Sequence, residues 1–245
     1  MIVGAVEVIR GEVTSRDDIG RVFGERKVDA VVSCLASRTG APADAWAIDH
    51  DVHASVLEAA KASGAIQFVL LSAICVQKPK LAFQRAKLAF EETLINSGLT
   101  YSIVRPTAYF KSLSGQIERV RSGKPYLLFG DGMLTACKPI SDNDLGAYLA
   151  GCLVDDTRWN RVLPIGGPGP AMTPKEMGET LFRLAGKAPK YKHVPVAMMD
   201  AIIGGLSLGG RLSSKLAAKA ELARIGRYYA TESMLCWDHD HQCYD

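Results

Sequence analysis

Short apolar segments alternate with helix-like segments through the first part of this 245-residue chain. Residues 29–35, 66–72 and 101–104 are mostly apolar, and the first of these runs is rich in valine. Strands of this kind are buried on both faces, as they are in a parallel sheet that helices cover on each side. The alternation therefore predicts an α/β fold built on a doubly wound parallel sheet.

The starts and stops of helices are marked between these strands. Ser15 can cap a short helix that runs to residue 23, and Pro42 opens a long helix that runs to about residue 61. A third helix is expected over residues 79–96. Gly64 and Gly98 follow the second and third helices and are expected to end them.

The pattern changes after Pro106, where glycine and proline become more frequent. Further strands and helices are expected there, with strands at residues 126–129 and 162–165 and helices that begin at Asp142 and Pro174. We expect residues 1–106 to form most of the sheet. Residues 107–245 are expected to form mainly a smaller α/β lobe that binds the substrate, with returns to the sheet.

Composition narrows the class of protein. Hydrophobic residues make up 48% and charged residues 22% of the chain, which suits one sizeable core with an appended lobe. The formal net charge of +3 is small, and there is no Lys/Arg block with interleaved aromatic residues, so nucleic acid is not an expected partner. Six dispersed cysteines favour a reducing compartment.

Ser72, Phe83 and Lys87 carry the strongest functional signal. Ser72 ends the strand expected at residues 66–72, and Phe83 and Lys87 follow four positions apart on one face of the next helix. An ammonium offers three donors to the ribose of a nicotinamide nucleotide, and a serine hydroxyl can orient a substrate or the carboxamide. Alternatively, Lys87 is a solvated helix residue and Ser72 merely ends a strand.

This order of serine, aromatic residue and lysine resembles the short-chain dehydrogenase/reductase superfamily. Most of its members have a proton-donating tyrosine where this chain has Phe83, so the resemblance implies a cofactor site with altered acid chemistry. Lys87 and Ser72 are then the candidate catalytic residues. The cofactor-binding residues that the resemblance implies are Glu12, Val13, Ser33, Cys34, Leu35, Ala36, Lys87, Pro106 and Thr107, with Asp49 nearby. Ser33 and Cys34 could equally be ordinary strand-end residues, and Asp49 a surface charge.

The glycine-rich turn that meets a pyrophosphate is absent near the start of the chain. A strand is expected at residues 5–9, but Gly4 is not followed by the second and third glycines of that turn. We therefore expect a Rossmann-like sheet that lacks its first strands, about one βαβ unit or more of sequence. The chain is accordingly expected to be truncated at its start. It is also expected to be truncated at its end, where the resemblance implies further sequence beyond Trp237-Asp238. The glycine- and proline-rich residues 166–170 are expected to form a structural loop.

Nine segments together resemble the divinyl chlorophyllide a 8-vinyl-reductase family of the NADPH-dependent type. They are residues 31–38, 71–79, 83–87, 102–108, 110–112, 129–132, 137–141, 163–169 and 225–230. The resemblance implies NADPH-dependent reduction of the 8-vinyl group of divinyl chlorophyllide, or protochlorophyllide, to ethyl during chlorophyll or bacteriochlorophyll synthesis. It also implies a cytoplasmic protein in a photosynthetic bacterium, or a plastid protein in a eukaryote.

This chemistry is compatible with phenylalanine at position 83. A vinyl group conjugated to a macrocycle can accept hydride at one carbon and a proton at another while the ring spreads the charge, so strong oxyanion stabilisation is unnecessary. Phe83 can pack against the macrocycle or the nicotinamide, or it can simply belong to the core. Tyr109 and Phe110 are further candidate substrate contacts. The proton could come from solvent, Tyr109 or Asp131.

Several features allow other interpretations. The mixed basic and apolar stretch around Leu212, Leu216 and Leu222 could rest on a membrane surface, or could simply pack one face on the protein. His50 and His53 are expected at solvated positions, and the tail cluster of Cys236, His239, His241 and Cys243 is not expected to bind metal.

A non-catalytic NAD(P)-binding sensor or assembly protein, or an inactive fragment, is the alternative function. The sequence leaves the oligomeric state open.

Overall fold

The computed structural model describes residues 7–24 and 27–244. Four parallel strands form the main sheet in the order β1-β2-β3-β5, which confirms the predicted α/β fold. A second, two-stranded parallel sheet pairs β4 with β6, and β7 and β8 form a short antiparallel pair. The strands are β1 (Ala30–Ser33), β2 (Gln67–Leu71), β3 (Thr100–Pro106), β4 (Tyr126–Phe129), β5 (Arg161–Ile165), β6 (Tyr191–Val194), β7 (Trp237–Asp238) and β8 (Cys243–Tyr244).

Helices connect the strands and cover the main sheet. They are α1 (Arg16–Phe23), α2 (Pro42–Ala45), α3 (His53–Ala62), α4 (Ala82–Ile95), α5 (Phe110–Leu113), α6 (Ile117–Arg121), α7 (Asp142–Gly151), α8 (Pro174–Leu184), α9 (Val196–Gly210) and α10 (Ser214–Thr231). A π-helical segment, Trp46–Val52, joins α2 to α3, so that the long helix expected from Pro42 is continuous but locally underwound. Short 3₁₀ turns occur at Ile74–Gln77, Ser114–Gln116 and Asp156–Arg158.

Several predicted helix ends are confirmed. The Ser15 hydroxyl accepts a hydrogen bond from the Asp18 amide at the start of α1. Thr173 and Glu176 form a reciprocal capping box at the start of α8. Gly64 and Gly98 have φ angles of 89° and 82°, a left-handed conformation that favours glycine and ends the helices before them.

Two predicted elements differ from the structure. The helix expected from residue 79 begins at Ala82. The Gln84 side-chain oxygen accepts hydrogen bonds from the backbone amides of Lys80 and Leu81, which holds these two residues outside the helix. The strand expected at residues 5–9 is not formed over residues 7–9, while residues 5 and 6 lie outside the described ones. Within the described ranges, no strand pairs with the outer edge of β1 that such a strand would extend.

The core consists of two layers on opposite faces of the main sheet. Phe68 and Leu70 of β2 pack with Phe90 of α4 on one face. Val69, between them, packs on the other face with Leu145 of α7. Alternation along one buried strand therefore fastens helices to both sides of the sheet.

The second half of the chain builds a smaller unit and also returns to the main sheet. Tyr126 and Leu128 of β4 pack with Phe182 of α8 in a separate core cluster. Strand β5 instead pairs with β3, in register from Ser102–Arg161 to Pro106–Ile165. This return places the loop after β5 beside the carboxyl end of β3.

The C-terminal segment packs on the turn after β2. Helices α9 and α10 pack together, and Arg227 of α10 forms an ion pair with Asp200 of α9. After α10, the β7–β8 pair packs against Lys78, whose Nζ lies 3.3 Å from the centroid of the Trp237 ring. In the part of the chain that the structure describes, no helix is both long and apolar enough to cross a bilayer.

Candidate active site

A cavity of about 320 Å³ opens at the carboxyl ends of β1 and β2. Ligands of open α/β sheets bind in crevices at this edge. Backbone and side chains of residues 34–40 form one wall, and α10 contributes Leu222, Ile225 and Tyr229 on the other side. The predicted site residues that line it are Cys34, Leu35, Ala36, Ser72, Phe83, Lys87 and Tyr109.

Lys87 lies at this cavity in a buried ion pair. Its Nζ is 2.9 Å from Oδ1 of Asp49, and the two side chains are 10% and 0% exposed. The Ser37 amide also donates to Asp49 Oδ1, at 3.2 Å. The alternatives of a solvated lysine and a surface aspartate are therefore wrong, because the π-helical segment turns Asp49 inward toward α4. Such segments often occur at functional sites.

Ser72 is held by a second buried charge. Its hydroxyl donates to Oε1 of Glu91 at 2.5 Å, and Arg105 binds both oxygens of the same carboxylate. Glu91 is 2% exposed, so the arginine supplies the charge that such a buried carboxylate needs. With its proton committed to Glu91, Ser72 retains acceptor capacity toward the cavity that it lines.

A larger cavity of about 480 Å³ lies next to the first. Pro106 and Thr107 line it, together with the short turn after β2 and residues 135–137. Its lining is mainly apolar and includes Met172, Met177 and Met234. The volume and lining suit a bulky, largely hydrophobic ligand.

Three residues line both cavities, namely Ala73, Tyr109 and Tyr229. Tyr229 is the functional candidate that sequence reasoning missed, although it lies within the segment 225–230 that carries part of the resemblance. The resemblance of that segment was the sequence signal that could have identified Tyr229. Its place in the same cavity as Lys87, however, depends on how α10 packs. The Tyr229 side chain is partly exposed, and its hydroxyl contacts the Cys75 sulfur at 3.8 Å.

The tyrosines at this junction keep their protons through neutral pH. Burial raises the pKa of Tyr109 to about 12, with smaller contributions from neighbouring acidic groups. Burial also raises the pKa of Tyr229 above its usual value. Cys34 and Cys75 face the same region, and burial raises the pKa of both thiols, which favours the protonated form.

The remaining predicted site residues lie outside these two cavities. Glu12 and Val13 are exposed, and the Glu12 carboxylate binds the Thr14 hydroxyl at 2.9 Å. Phe110 is 57% exposed on α5. Ser33 is buried at the end of β1, one position before the smaller cavity begins. The roles assigned to all of these residues stay predictions.

The smaller cavity presents groups of the kind that the expected nicotinamide nucleotide would need. Lys87 supplies donors, residues 34–40 supply backbone groups, and Asp49 supplies a carboxylate. Ser33 Oγ and Asp49 Oδ2 are buried and have no hydrogen-bond partner among residues 7–24 and 27–244. Buried polar groups normally have partners, so this edge of the sheet retains hydrogen-bonding capacity for a ligand or water.

The two histidines of the π-helical region have different surroundings. His53 is 1% exposed, its Nδ1 lies 2.9 Å from the Ile48 carbonyl oxygen, and its ring packs on Phe90. The expectation that His53 is solvated is wrong, because it lies on the face that packs on α4. Burial lowers its pKa to about 4. No group of three or more metal-ligating side chains is assembled within the described parts of the chain.

Comparison with known proteins agrees with this geometry. A family model described as NAD(P)H-binding matches residues 2–156. The chain is 55% identical to divinyl chlorophyllide a 8-vinyl-reductase, chloroplastic, of Arabidopsis thaliana, over 86% of this chain and 52% of that protein. It is 53% identical to the protein of the same name in Cucumis sativus, over 93% of this chain and 56% of that one. The chain thus spans about half the length of the curated relatives that it matches.

Solved structures share the fold at low sequence identity. One is the NADPH-dependent quinone oxidoreductase QOR2 of Escherichia coli complexed with NADPH, with a TM-score of 0.64 and 18% identity. The match covers 90% of this chain and 74% of that one.

Proposed function

The chain belongs to the NAD(P)H-binding family, and from that premise we propose that it reduces the 8-vinyl group of a divinyl chlorophyllide or protochlorophyllide to ethyl. The observation that carries this proposal is the identity of 53–55% to vinyl-reductases, which extends over 86–93% of the chain. Such an extent includes the larger apolar cavity as well as the nucleotide half. A protein that had kept only nucleotide binding would have no need to preserve the substrate lobe.

The residues divide between cofactor and substrate. Lys87, held by Asp49, donates hydrogen bonds to the nicotinamide ribose, and the backbone of residues 34–36 flanks the ring. Ser72 accepts a hydrogen bond from the carboxamide, since Glu91 takes its own proton. When bound, the nicotinamide supplies a hydride. Tyr109 packs beside the reacting vinyl group where the two cavities meet, and Phe83 packs beside it from the smaller cavity.

The cofactor is proposed to be NADPH. A nicotinamide nucleotide follows from the family, while the 2′-phosphate is supported by the NADPH bound to a structural neighbour. Glu12 and Val13 are the proposed contacts of the adenine end. They are separated from the Lys87 cavity, so a dinucleotide that reaches both must extend across the open edge of β1.

The tetrapyrrole is the proposed partner, and a plastid is the proposed location, since the vinyl-reductases of Arabidopsis and cucumber are named chloroplastic. Peripheral contact with a photosynthetic membrane is also proposed. It is supported by exposed apolar side chains on α9 and in the α9–α10 connection, among them Leu208 and Leu212, next to basic residues of α10 such as Lys215.

The proposal is tested by incubating the chain with NADPH and divinyl chlorophyllide and separating the products by chromatography. A version extended through any in-frame upstream codons is assayed in parallel, because the chain spans about half the length of its relatives. Ethyl product from either form supports the reductase. If neither form makes product although calorimetry shows NADPH binding, the reductase proposal is wrong and a non-catalytic nucleotide-binding role replaces it.

A further inference from the structure

We propose that the Tyr229 hydroxyl donates the proton that completes reduction of the vinyl group, so that α10 supplies the phenol that Phe83 cannot. This inference rests on the proposed function and deepens it by naming the acid. Among the candidate acids, Tyr229 belongs to an element remote in sequence from Ser72 and Lys87. It nevertheless lines the same cavity as both of them.

The position of Tyr229 follows from packing between α10 and the beginning of α4. Ile225 and Phe83 pack against one core cluster and both line the smaller cavity. Tyr229 is one helical turn beyond Ile225 and therefore lies on the same side of α10. Its ring lines the larger apolar cavity as well, so a substrate there and a nicotinamide beside Lys87 would both approach it.

The hydroxyl of Tyr229 is free to change partner. Its hydrogen bond in the structure is to the Cys75 sulfur at 3.8 Å, and sulfur is a weak acceptor. Tyr229 as a residue is 45% exposed, although its phenol group is desolvated, and it lines both cavities. A small movement of the ring can exchange this contact for the reacting carbon of a substrate.

The neighbouring tyrosine shows the opposite arrangement. Tyr228 is 4% exposed, and its hydroxyl lies 2.9 Å from the Cys75 carbonyl oxygen and 3.1 Å from that of Lys78. These bonds tie α10 to the turn after β2. Tyr228 therefore fixes the helix in place, while the adjacent residue presents its hydroxyl to the cavities.

The atoms and electrons of the reaction balance with one phenol. Hydride from the nicotinamide forms one C–H bond as the vinyl π bond breaks, and its electron pair moves onto the other carbon and the conjugated ring. The Tyr229 O–H bond then breaks as the second C–H bond forms. The resulting phenolate takes a proton from water. The phenol is protonated at neutral pH before this step, and a carbanion is basic enough to remove its proton.

The test compares Tyr229→Phe with Tyr228→Phe and Tyr109→Phe in whichever form of the protein makes ethyl product. We expect Tyr229→Phe to lower kcat on the order of 100-fold or more, the usual contribution of a general acid. Its KM for the pigment and its Kd for NADPH should stay within about twofold, because a proton donor acts after binding. Tyr228→Phe should lose stability but not show this fall in kcat, because its ring still packs in the core cluster that holds α10.

A second measurement does not depend on turnover. Hydroxyl radicals attack an aromatic ring whether or not its phenol is ionised, so footprinting should oxidise the partly exposed Tyr229 in the free protein. Bound divinyl chlorophyllide should protect it, as mass spectrometry of the peptide will show. Unchanged oxidation with the pigment bound would overturn the inference even if no product forms. So would a Tyr229→Phe variant with nearly normal kcat, one that loses binding in parallel with kcat, or a loss of kcat confined to Tyr109→Phe. A wild-type protein that makes no product but shows protection contradicts the reductase and leaves Tyr229 as a pigment contact only.

Discussion

At the scale of single residues, buried charge distinguishes the site from the rest of the sheet. Lys87 with Asp49, and Arg105 with Glu91, are ion pairs whose carboxylates are almost completely buried. Replacing such a pair with apolar groups is often neutral for stability, whereas removing one partner is costly. Two pairs at the carboxyl end of one sheet therefore indicate selection for position as well as for stability.

Asp49→Asn tests the positioning role. The amide keeps the shape but removes the charge that holds Lys87, so we expect NADPH to bind on the order of tenfold more weakly, by calorimetry. The unfolding free energy should fall by a few kcal/mol, which denaturant titration measures. Asp51→Asn is the matched control, since Asp51 is 71% exposed and contacts His50 instead. Equal NADPH affinity in both variants would show that the Asp49 charge does not position Lys87.

His53 should make the protein sensitive to acid. Its pKa is lowered from 6.5 to about 4 in the folded state, so the unfolded chain binds the proton more readily. The stability contribution is complete above about pH 6.5 and is lost as the pH falls toward 4, by about 3 kcal/mol. His53→Leu should flatten this part of the stability profile in denaturant titrations at several pH values. An unchanged slope would place the acid sensitivity elsewhere.

At the scale of elements, the loop after β5 illustrates how packing fixes a connection. A Cβ added to Gly167 would lie 2.0 Å from the Pro139 carbonyl oxygen, which is backbone and cannot rotate away. We expect Gly167→Ala to lower the unfolding free energy by about 1–3 kcal/mol, because the loop must shift. Gly169→Ala has open space around the new methyl group and serves as the control. Equal thermal stability of the two variants would contradict this close packing.

Short sequence patterns predicted where helices and strands lie, but not which side chains from distant segments pack together. Caps and glycine stops located α1, α8 and the ends of α3 and α4, because these depend on adjacent residues. The serine and lysine of the smaller cavity were found because strand-end and helix-face positions can be read from spacing. Buried His53 and the cavity-facing Tyr229 were missed, because their surroundings come from segments distant in sequence.

At the scale of the whole molecule, an apolar surface remains uncovered on α9. Met198 and Ile202 are each 49% exposed and Leu208 is 65% exposed, and Leu212 after the helix is 94% exposed. Apolar patches of this kind mark interaction surfaces. With the basic residues of α10 beside it, this surface is suited to the proposed contact with anionic lipid.

Sedimentation with vesicles that contain anionic lipid tests this surface. The double variant Ile202→Gln/Leu208→Gln should bind severalfold less than wild type, because it buries less apolar area in the lipid. Val154→Gln is the control, since Val154 is 82% exposed on another surface. Equal loss in both variants, or no vesicle binding by wild type, would contradict membrane contact. A concentration-dependent dimer that only the double variant disrupts would instead assign this face to a second copy.

Lys78 stacks on Trp237 of the C-terminal strands, so the fluorescence of this tryptophan can report changes around Lys78. The ammonium lies against the Trp237 ring, and it also binds Glu232, which lines the larger cavity. The fluorescence wavelength of an indole depends on charges near its ring. A ligand that displaces Glu232 should move the Lys78 ammonium and so shift the emission wavelength of Trp237. Pigment binding could then be followed in real time, without an added label, through the fluorescence of Trp237, which does not line the cavity.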